Sequence, residues 1–249
     1  MRTDDHPLIA ILLLGACGRL GFDPSAASDG GVDAVIADGT TDAAAHPFVY
    51  VQGNARTEPM VTGIEVSLPN QGVGNLNVLV VGIAEPLANI ASVSDSVGND
   101  YELAIGPTSS GTVSQWMYTA RITATTSTNV VRVMFDQAAM QPGIFLAEYA
   151  GVSTTMAVHT ASGLLGSSSR SESGLLNVTI APALIVAANT NTSSGTAGPG
   201  AGYTQRLTHM FEDILEDRVI DTPGTYIADA ALTTVHGWVM QAIVLSPEP

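Results

Sequence analysis

From Pro47 onward, hydrophobic and polar residues follow the two-residue period of β-strands, and hardly any stretch shows the 3.6-residue period of a helix. In residues 115–122, for example, Trp116, Tyr118, Ala120 and Ile122 share one face. Residues 76–84 are almost continuously apolar, which is typical of a strand covered on both faces. Clusters of Gly, Asn, Pro and Ser separate the runs. This pattern predicts an all-β fold, an antiparallel, jelly-roll-like β-sandwich over residues 47–249.

The predicted strands are residues 48–51, 64–68, 76–84, 90–94, 101–105, 115–122, 130–135, 144–149, 175–180, 184–188, 218–220, 226–232 and 238–245. A weak internal echo runs through them. Residues 77–84, 116–122, 130–135 and 144–151 are similar in order and polarity to residues 183–190, 217–220, 226–232 and 238–245. Chance similarity between strands explains this at least as well as a repeat, whereas a true repeat would suit a jelly roll built from two related halves.

The N-terminus carries an apolar run, residues 7–16, that ends at the only cysteine, Cys17. Ten helical residues span about 15 Å, which is half of the roughly 30 Å hydrocarbon core, so the run is too short to cross a bilayer. It fits the apolar region of a secretory signal. Leu14, Gly15, Ala16 and Cys17 resemble the lipobox of bacterial lipoproteins. The resemblance implies signal cleavage between Ala16 and Cys17 and acylation of Cys17, and hence a membrane anchor at the bacterial outer membrane or cell surface.

Two other interpretations of these residues stay open. Gly15, Gly18 and Gly21 match the spacing of a dinucleotide-binding loop, but no amphipathic helix follows them, as phosphate binding would require. Alternatively, the run is a buried strand and Cys17 an inert core thiol.

The segment after Cys17 has the composition of a linker. Residues 23–46 contain five Asp, no basic residue and few large apolar residues, which is typical of a flexible, solvated chain. The predicted organisation is therefore a signal peptide at residues 1–16, a lipidated cysteine and disordered acidic linker at 17–46, and the β-sandwich at 47–249.

Charge excludes one class of partner. The chain has a net charge of −15, a pI near 4.3 and only eight basic residues, all arginine. Nucleic-acid binding needs clustered Lys and Arg to neutralise phosphates, so we expect no nucleic-acid partner. Electrostatic docking on anionic lipid is disfavoured for the same reason.

Residues 75–158 and the final strand also resemble an uncharacterised sandwich module of bacterial secreted and surface proteins. The matching segments are 78–81, 93–101, 115–118, 130–135, 148–152 and 237–241. The resemblance implies the fold and a surface location, and it brings no catalytic residues with it.

No catalytic motif stands out in the sequence. A nucleophile elbow, a zinc helix, a phosphate loop and paired cysteines are all missing, and the histidines beyond the linker (His159, His209 and His236) are scattered. Glu148 is the one acid within an apolar strand, where neighbours could raise its pKa, but alternation places it opposite Phe145 and Tyr149, so it could simply face water. We therefore expect a protein that is not an enzyme and needs no cofactor.

Acidic clusters suggest calcium as the one candidate ion. Glu212, Asp213, Glu216 and Asp217 would form repelling pairs on a helical turn, and Ca²⁺ would relieve that repulsion. The alternative is a solvated loop before a strand that starts at Arg218. A second oxygen-rich set, Asp95, Asn99 and Asp100, also suits a tight connection between strands.

Ligand binding through aromatic rings is the last sequence-level hypothesis. Trp116 and Trp238 lie on predicted strands, and Tyr203 follows a Gly-rich loop and is the best candidate for an exposed ring. The resulting prediction is a lipid-anchored envelope protein whose non-catalytic sandwich binds a glycan or another surface protein. A carbohydrate-active hydrolase and a purely structural envelope or appendage component are the alternatives.

Overall fold

A computed structural model describes residues 47–84, 87–192 and 195–249, all of which belong to a unit that covers Ala43–Pro249. The predicted signal peptide, the lipobox with Cys17 and the acidic linker lie outside the described residues. Among the described residues the regular structure is entirely β-strand, which confirms the predicted all-β class. No helix in this part of the chain is long and apolar enough to cross a membrane.

The strands follow one another along the chain with short connections. They are β1 (Val49–Thr57), β2 (Met60–Pro69), β3 (Leu76–Ala84), β4 (Ile90–Asp95), β5 (Glu102–Ser109), β6 (Val113–Arg121), β7 (Thr128–Ala150), β8 (Val158–Glu172), β9 (Leu176–Val178), β10 (Ala183–Asn191), β11 (Thr196–Pro199), β12 (Thr204–Thr208), β13 (Ile214–Ile220), β14 (Gly224–Tyr226) and β15 (Asp229–Leu245).

The first half of the domain is organised around one long strand, β7. The C-terminal part of β7 lies in the order β1-β7-β3-β6-β5, while its N-terminal part pairs with β2 and β4. All pairings are antiparallel. The two parts of this sheet enclose a core that includes Val66, Leu79, Trp116, Val133 and Leu146. Two facing groups of antiparallel strands around one core form a β-sandwich.

The strands of the second half are connected in the same way as those of the first. Its sheet runs β11-β15-β10-β13-β12, and β8 also pairs with β15. Here β8 takes the place of β1 and β2, and β10, β11, β12, β13 and β15 take the places of β3, β4, β5, β6 and β7. A small hairpin of β9 and β14 is added. The strands of the internal echo thus occupy equivalent positions, and the domain consists of two halves with one topology.

The two halves pack back to back through a shared core. This core includes Val78, Val80 and Phe145 from the first half and Val186 and Ile243 from the second. Each central sheet therefore has a buried face toward the other half and a second buried face toward its own half's core. That arrangement explains why β3 and β10 are buried at nearly every position, and it confirms the prediction for residues 76–84.

A partly buried ion pair of the second half contacts the first half at the edge of the shared core. The Nε of Arg206 donates to the Oδ2 of Asp217 at 2.8 Å, and the hydroxyl of Tyr149 donates to the same oxygen at 3.0 Å. The Arg206 guanidinium lies 4.8 Å from the ring centre of Tyr50. Burial, reinforced by the neighbouring Asp217 carboxylate, raises the pKa of the Tyr149 hydroxyl well above its usual value. These contacts link β12 and β13 to β1 and β7.

Glu148 does not face water. Alternation along β7 places it opposite Phe145, as expected, but that face is covered and Glu148 is fully buried. Its carboxylate accepts hydrogen bonds from the side chain of Gln52 at 2.7 Å, the backbone of Gly72 at 2.8 Å and the side chain of Asn75 at 2.6 Å. Glu148 thus anchors a loop to the end of the sheet.

The Asp95 loop is held by donors from the chain itself. One carboxylate oxygen accepts the backbone N–H groups of Val97, Gly98 and Asn99, and the other accepts the side chains of Asn99 and Asn129. Burial alone would raise the pKa of Asp95, but these donors outweigh it and lower the pKa. This arrangement matches a tight connection between strands, because both oxygens are already occupied by protein donors.

The shared core makes the two halves one cooperative unit, and this generates a prediction. Ile243→Ala removes a fully buried side chain from the shared core, and we expect it to lower the free energy of unfolding by about 2–5 kcal/mol. The variant should still unfold in a single calorimetric transition. Val235→Ala, at a side chain that is 66% exposed on the same strand, is the control and should change stability by less than about 0.5 kcal/mol. Two separated transitions in Ile243→Ala would contradict the shared core.

Candidate functional site

The three aromatic rings proposed as ligand contacts are buried. Trp116 lies in the core of the first half, and Trp238 and Tyr203 lie in the core of the second. Tyr203 is only 7% exposed, its hydroxyl donates to the carbonyl of Ile227, and Arg218 lies 5.8 Å from its ring centre. The expectation of an exposed ring at Tyr203 is therefore wrong. These rings do not form a stacking surface for a ligand.

The acidic cluster at Glu212–Asp217 is neither a helical turn nor a solvated loop. β13 begins at Ile214, and Asp213, Glu216 and Asp217 are all buried. Successive strand residues point to opposite faces, so Glu216 faces the core of the second half while Asp217 faces the shared core. Among the described residues no group of three or more His, Cys, Asp or Glu side chains could hold a metal ion. The cluster does not converge as the calcium hypothesis required.

Glu216 is a buried acid with one unsatisfied oxygen. Its Oε2 accepts the backbone N–H of Gly200 at 2.9 Å, whereas Oε1 has no hydrogen-bond partner. Burial is the largest effect on this carboxyl and raises its pKa to about 8, with smaller contributions from the charges of Asp229 and Asp217. Glu216 is therefore largely protonated at neutral pH.

A polar cavity lies where the shared core reaches the end of the sheets. It has a volume of about 170 Å³. Both halves contribute to its walls, the first from the ends of β3 and the middle of β7, the second from the end of β10 and the loop between β12 and β13. The lining residues are Gly82, Ala84, Gln141, Gly143, Thr190, Asn191, Thr192, Phe211 and Asp213. Gln141 and Thr192 are exposed at the rim, so the cavity opens to solvent.

His209 forms the support behind this cavity. Its imidazole stacks on Phe145, with ring centres 4.6 Å apart and an angle of 7° between the planes. Phe211 then packs edge-on against His209 at 5.8 Å. The stack depends on Gly143, because a Cβ at that position would lie 2.5 Å from the His209 Nε2. The aromatic groups thus fix the position of Phe211 at the cavity wall.

Asp213 and His209 form a buried pair. The His209 Nε2 lies 3.5 Å from the Asp213 Oδ2, and the His209 Nδ1 accepts the backbone N–H of Phe211 at 3.3 Å. The Asp213 Oδ1 accepts the backbone and side-chain N–H groups of Asn191 at 3.0 and 2.5 Å. Burial lowers the pKa of His209 to about 4 and raises that of Asp213 well above its usual value. Both shifts favour the uncharged forms.

The backbone is strained on both sides of the cavity. Three residues other than glycine have positive φ in the described part of the chain. Two of them lie here, Gln141 with φ 45° in the cavity wall and Glu212 with φ 56° immediately before Asp213. Residues other than glycine rarely adopt this backbone conformation, and strain of this kind is concentrated at functional sites. The strain marks this cavity as the best candidate site.

The sequence analysis missed most of this site. The sequence pattern indicates Asp213 only as a calcium ligand, and it leaves His209 among scattered histidines. The i, i+4 spacing of His209 and Asp213 was the only available signal. This signal is weak, because the two residues meet across a turn. In that turn the backbone N–H of Glu212 donates to the His209 carbonyl at 2.8 Å. The contributions of β3 and β7 lie more than 60 positions away and have no sequence signature.

The arrangement can form hydrogen bonds to a small ligand. One nitrogen of His209 is occupied by a backbone donor and the other faces Asp213. In the described residues no hydroxyl or thiol group is hydrogen-bonded to this imidazole. Both nitrogens are thus engaged with the protein itself, and the imidazole supports Phe211 in the cavity wall.

No protein-family model matches the chain, and no curated protein or solved structure matches it either. The resemblances to bacterial lipoproteins and to the secreted sandwich module therefore stay predictions.

The close contact at Gly143 gives a prediction for the site. Gly143→Ala should displace His209 from Phe145 and lower the free energy of unfolding by about 1–3 kcal/mol, because the added methyl group overpacks the stack. NMR titration should show the His209 pKa moving up from about 4 toward its ordinary value as the imidazole gains solvent. Gly198→Ala is the control, since a Cβ there meets nothing within 4 Å. An unchanged His209 titration in Gly143→Ala would contradict the packing described.

The buried Glu216 gives a prediction for stability against pH. Its pKa is raised from 4.5 to about 8, so the folded chain holds a proton that the unfolded chain has lost. The stability contributed by this group is full below pH 4.5 and is lost as pH rises to about 8, by up to about 1.4 kcal/mol per pH unit. Glu216→Gln cannot ionise and should become progressively more stable than the wild type across this window. Stability is measured by chemical denaturation at each pH. If the wild type and Glu216→Gln depended on pH in the same way, the conclusion that Glu216 is a buried neutral acid would be contradicted.

Proposed function

We propose that this protein is a lipid-anchored component of a bacterial cell envelope whose double β-sandwich binds a ligand without catalysing a reaction. The observation that carries the binding role is the polar cavity built from both halves around Phe211 and Asp213. Surface cavities with a few converging polar groups are the default location of ligand sites. The lipobox resemblance of residues 14–17 and the acidic linker support the anchored location.

The cavity supports binding better than hydrolysis. A glycoside hydrolase uses two carboxyl groups that face each other across the substrate, and among the described lining residues Asp213 alone carries a carboxyl group. Of the other buried acids, Glu148 holds a loop, Asp217 pairs with Arg206, and Glu216 faces the core of the second half. The single acid and the engaged imidazole therefore argue for a non-catalytic site.

The anchor is tested by intact mass and membrane partitioning after expression in a bacterial host. The wild type should begin at Cys17, carry added acyl mass and separate with the membrane, because two or more acyl chains bind a bilayer stably. Cys17→Ser should be released into the soluble fraction. A wild-type chain that is unmodified and cytosolic would contradict the envelope location.

Binding without catalysis is tested with the soluble Cys17→Ser protein and purified bacterial envelope polysaccharide. We expect the polysaccharide to retain the protein without release of new reducing ends. Turnover that disappears in Asp213→Asn would instead establish the hydrolase alternative.

A further inference from the structure

Building on this proposed function, we propose that the cavity beside Phe211 and Asp213 binds a single uncharged sugar ring at the end of a glycan. Four properties of the cavity point to this class of ligand: its polar groups, its charge, its aromatic wall and its size.

The polar groups in the wall suit a polyol. Thr190 and Thr192 offer hydroxyls, and Gln141 offers an amide. Hydroxyls and amides both donate and accept hydrogen bonds. The Asp213 carboxyl lies in the same wall and is held there by Asn191. A sugar hydroxyl also donates and accepts hydrogen bonds, so one hydroxyl can bond to two of these groups at once.

The charge of the cavity disfavours an anionic ligand. The described residues of its wall include no arginine, and the chain has no lysine. The adjacent His209 is buried behind Phe211, and burial keeps it uncharged near neutral pH. A phosphate or carboxylate would lose its hydration without gaining a counter-charge. A neutral ligand avoids that cost.

The aromatic wall suits the apolar face of a sugar ring. Phe211 is only partly buried, and its edge-on packing against His209 holds its position. The C–H groups on one face of a sugar ring can pack on such a ring while the hydroxyls reach the polar wall. Since Phe211 is already fixed, little side-chain freedom is lost on binding.

The size of the cavity limits what can enter. Its volume of about 170 Å³ is below the roughly 300–1,000 Å³ that a drug-sized ligand requires. The cavity therefore accommodates one sugar ring. The rest of the glycan leaves the cavity over the exposed rim at Gln141 and Thr192.

The test titrates the soluble Cys17→Ser protein with neutral monosaccharides (glucose, galactose, mannose and N-acetylglucosamine) and with glucuronic acid, monitored by isothermal calorimetry and by the NMR signals of His209. At least one neutral sugar should bind, with a Kd on the order of millimolar, and glucuronic acid should not. Ala84→Leu fills the cavity without removing a contact and should weaken binding at least tenfold. Phe211→Ala should do the same.

Met210→Ala is the matched control. Met210 precedes Phe211, is 74% exposed and does not line the cavity, so binding should be unchanged. The wild type and all variants are first compared by thermal unfolding, and Ala84→Leu keeps the test decisive if Phe211→Ala is destabilised. Binding that Ala84→Leu leaves unchanged, or binding of no neutral sugar at all, overturns the proposal. If the protein were then still retained on envelope polysaccharide, or captured an extended peptide, the proposed binding function would stand. The binding would take place at another site or with another ligand.

Discussion

The back-to-back packing of two β-sheets is the constraint on which the rest of this structure depends. Each central sheet has one face in the shared core and the other in the core of its own half, so neither face can be left to solvent. Apolar residues fill most of these positions. The few polar groups there must find partners inside the protein, which is why Asp217 meets Arg206 and Tyr149 and why Glu148 accepts three hydrogen bonds. The acids that look like surface residues in the sequence are thus part of the packing.

The sequence predicts a strand correctly where the local pattern of apolar and polar residues reflects how that strand packs. β3 coincides with residues 76–84, because a strand buried on both faces is a continuous apolar run. β8 was not predicted, since its many Ser and Gly residues give no alternation. It is held instead by a long pairing with β15. β7 was predicted as two strands because polar residues interrupt it near Gln137, yet pairing with β2, β3 and β4 carries it through.

The candidate site was much less predictable, for a physical reason. Burial of Asp213 and Glu216 depends on strands that are distant in the sequence and cover them, so the local run of acids in residues 212–217 resembles a solvated segment. The same holds for Tyr203, which follows a Gly-rich loop but is enclosed by the core of the second half. His209 acquires its role only because Gly143, on the other half of the domain, leaves room for the imidazole against Phe145.

Repetition of the topology supplies the scaffold, and the differences between the halves supply the site. The first half contributes small residues, Gly82, Ala84 and Gly143, which open space at the end of the shared core, and the amide of Gln141 at its rim. The second half contributes the hydroxyl, aromatic and carboxyl groups around that space. Two identical halves could not do this, because small residues on both sides would leave no binding groups and large polar ones on both sides would leave no cavity. A site at the junction of the halves therefore requires that they diverge in sequence while the sheets that hold them together stay the same.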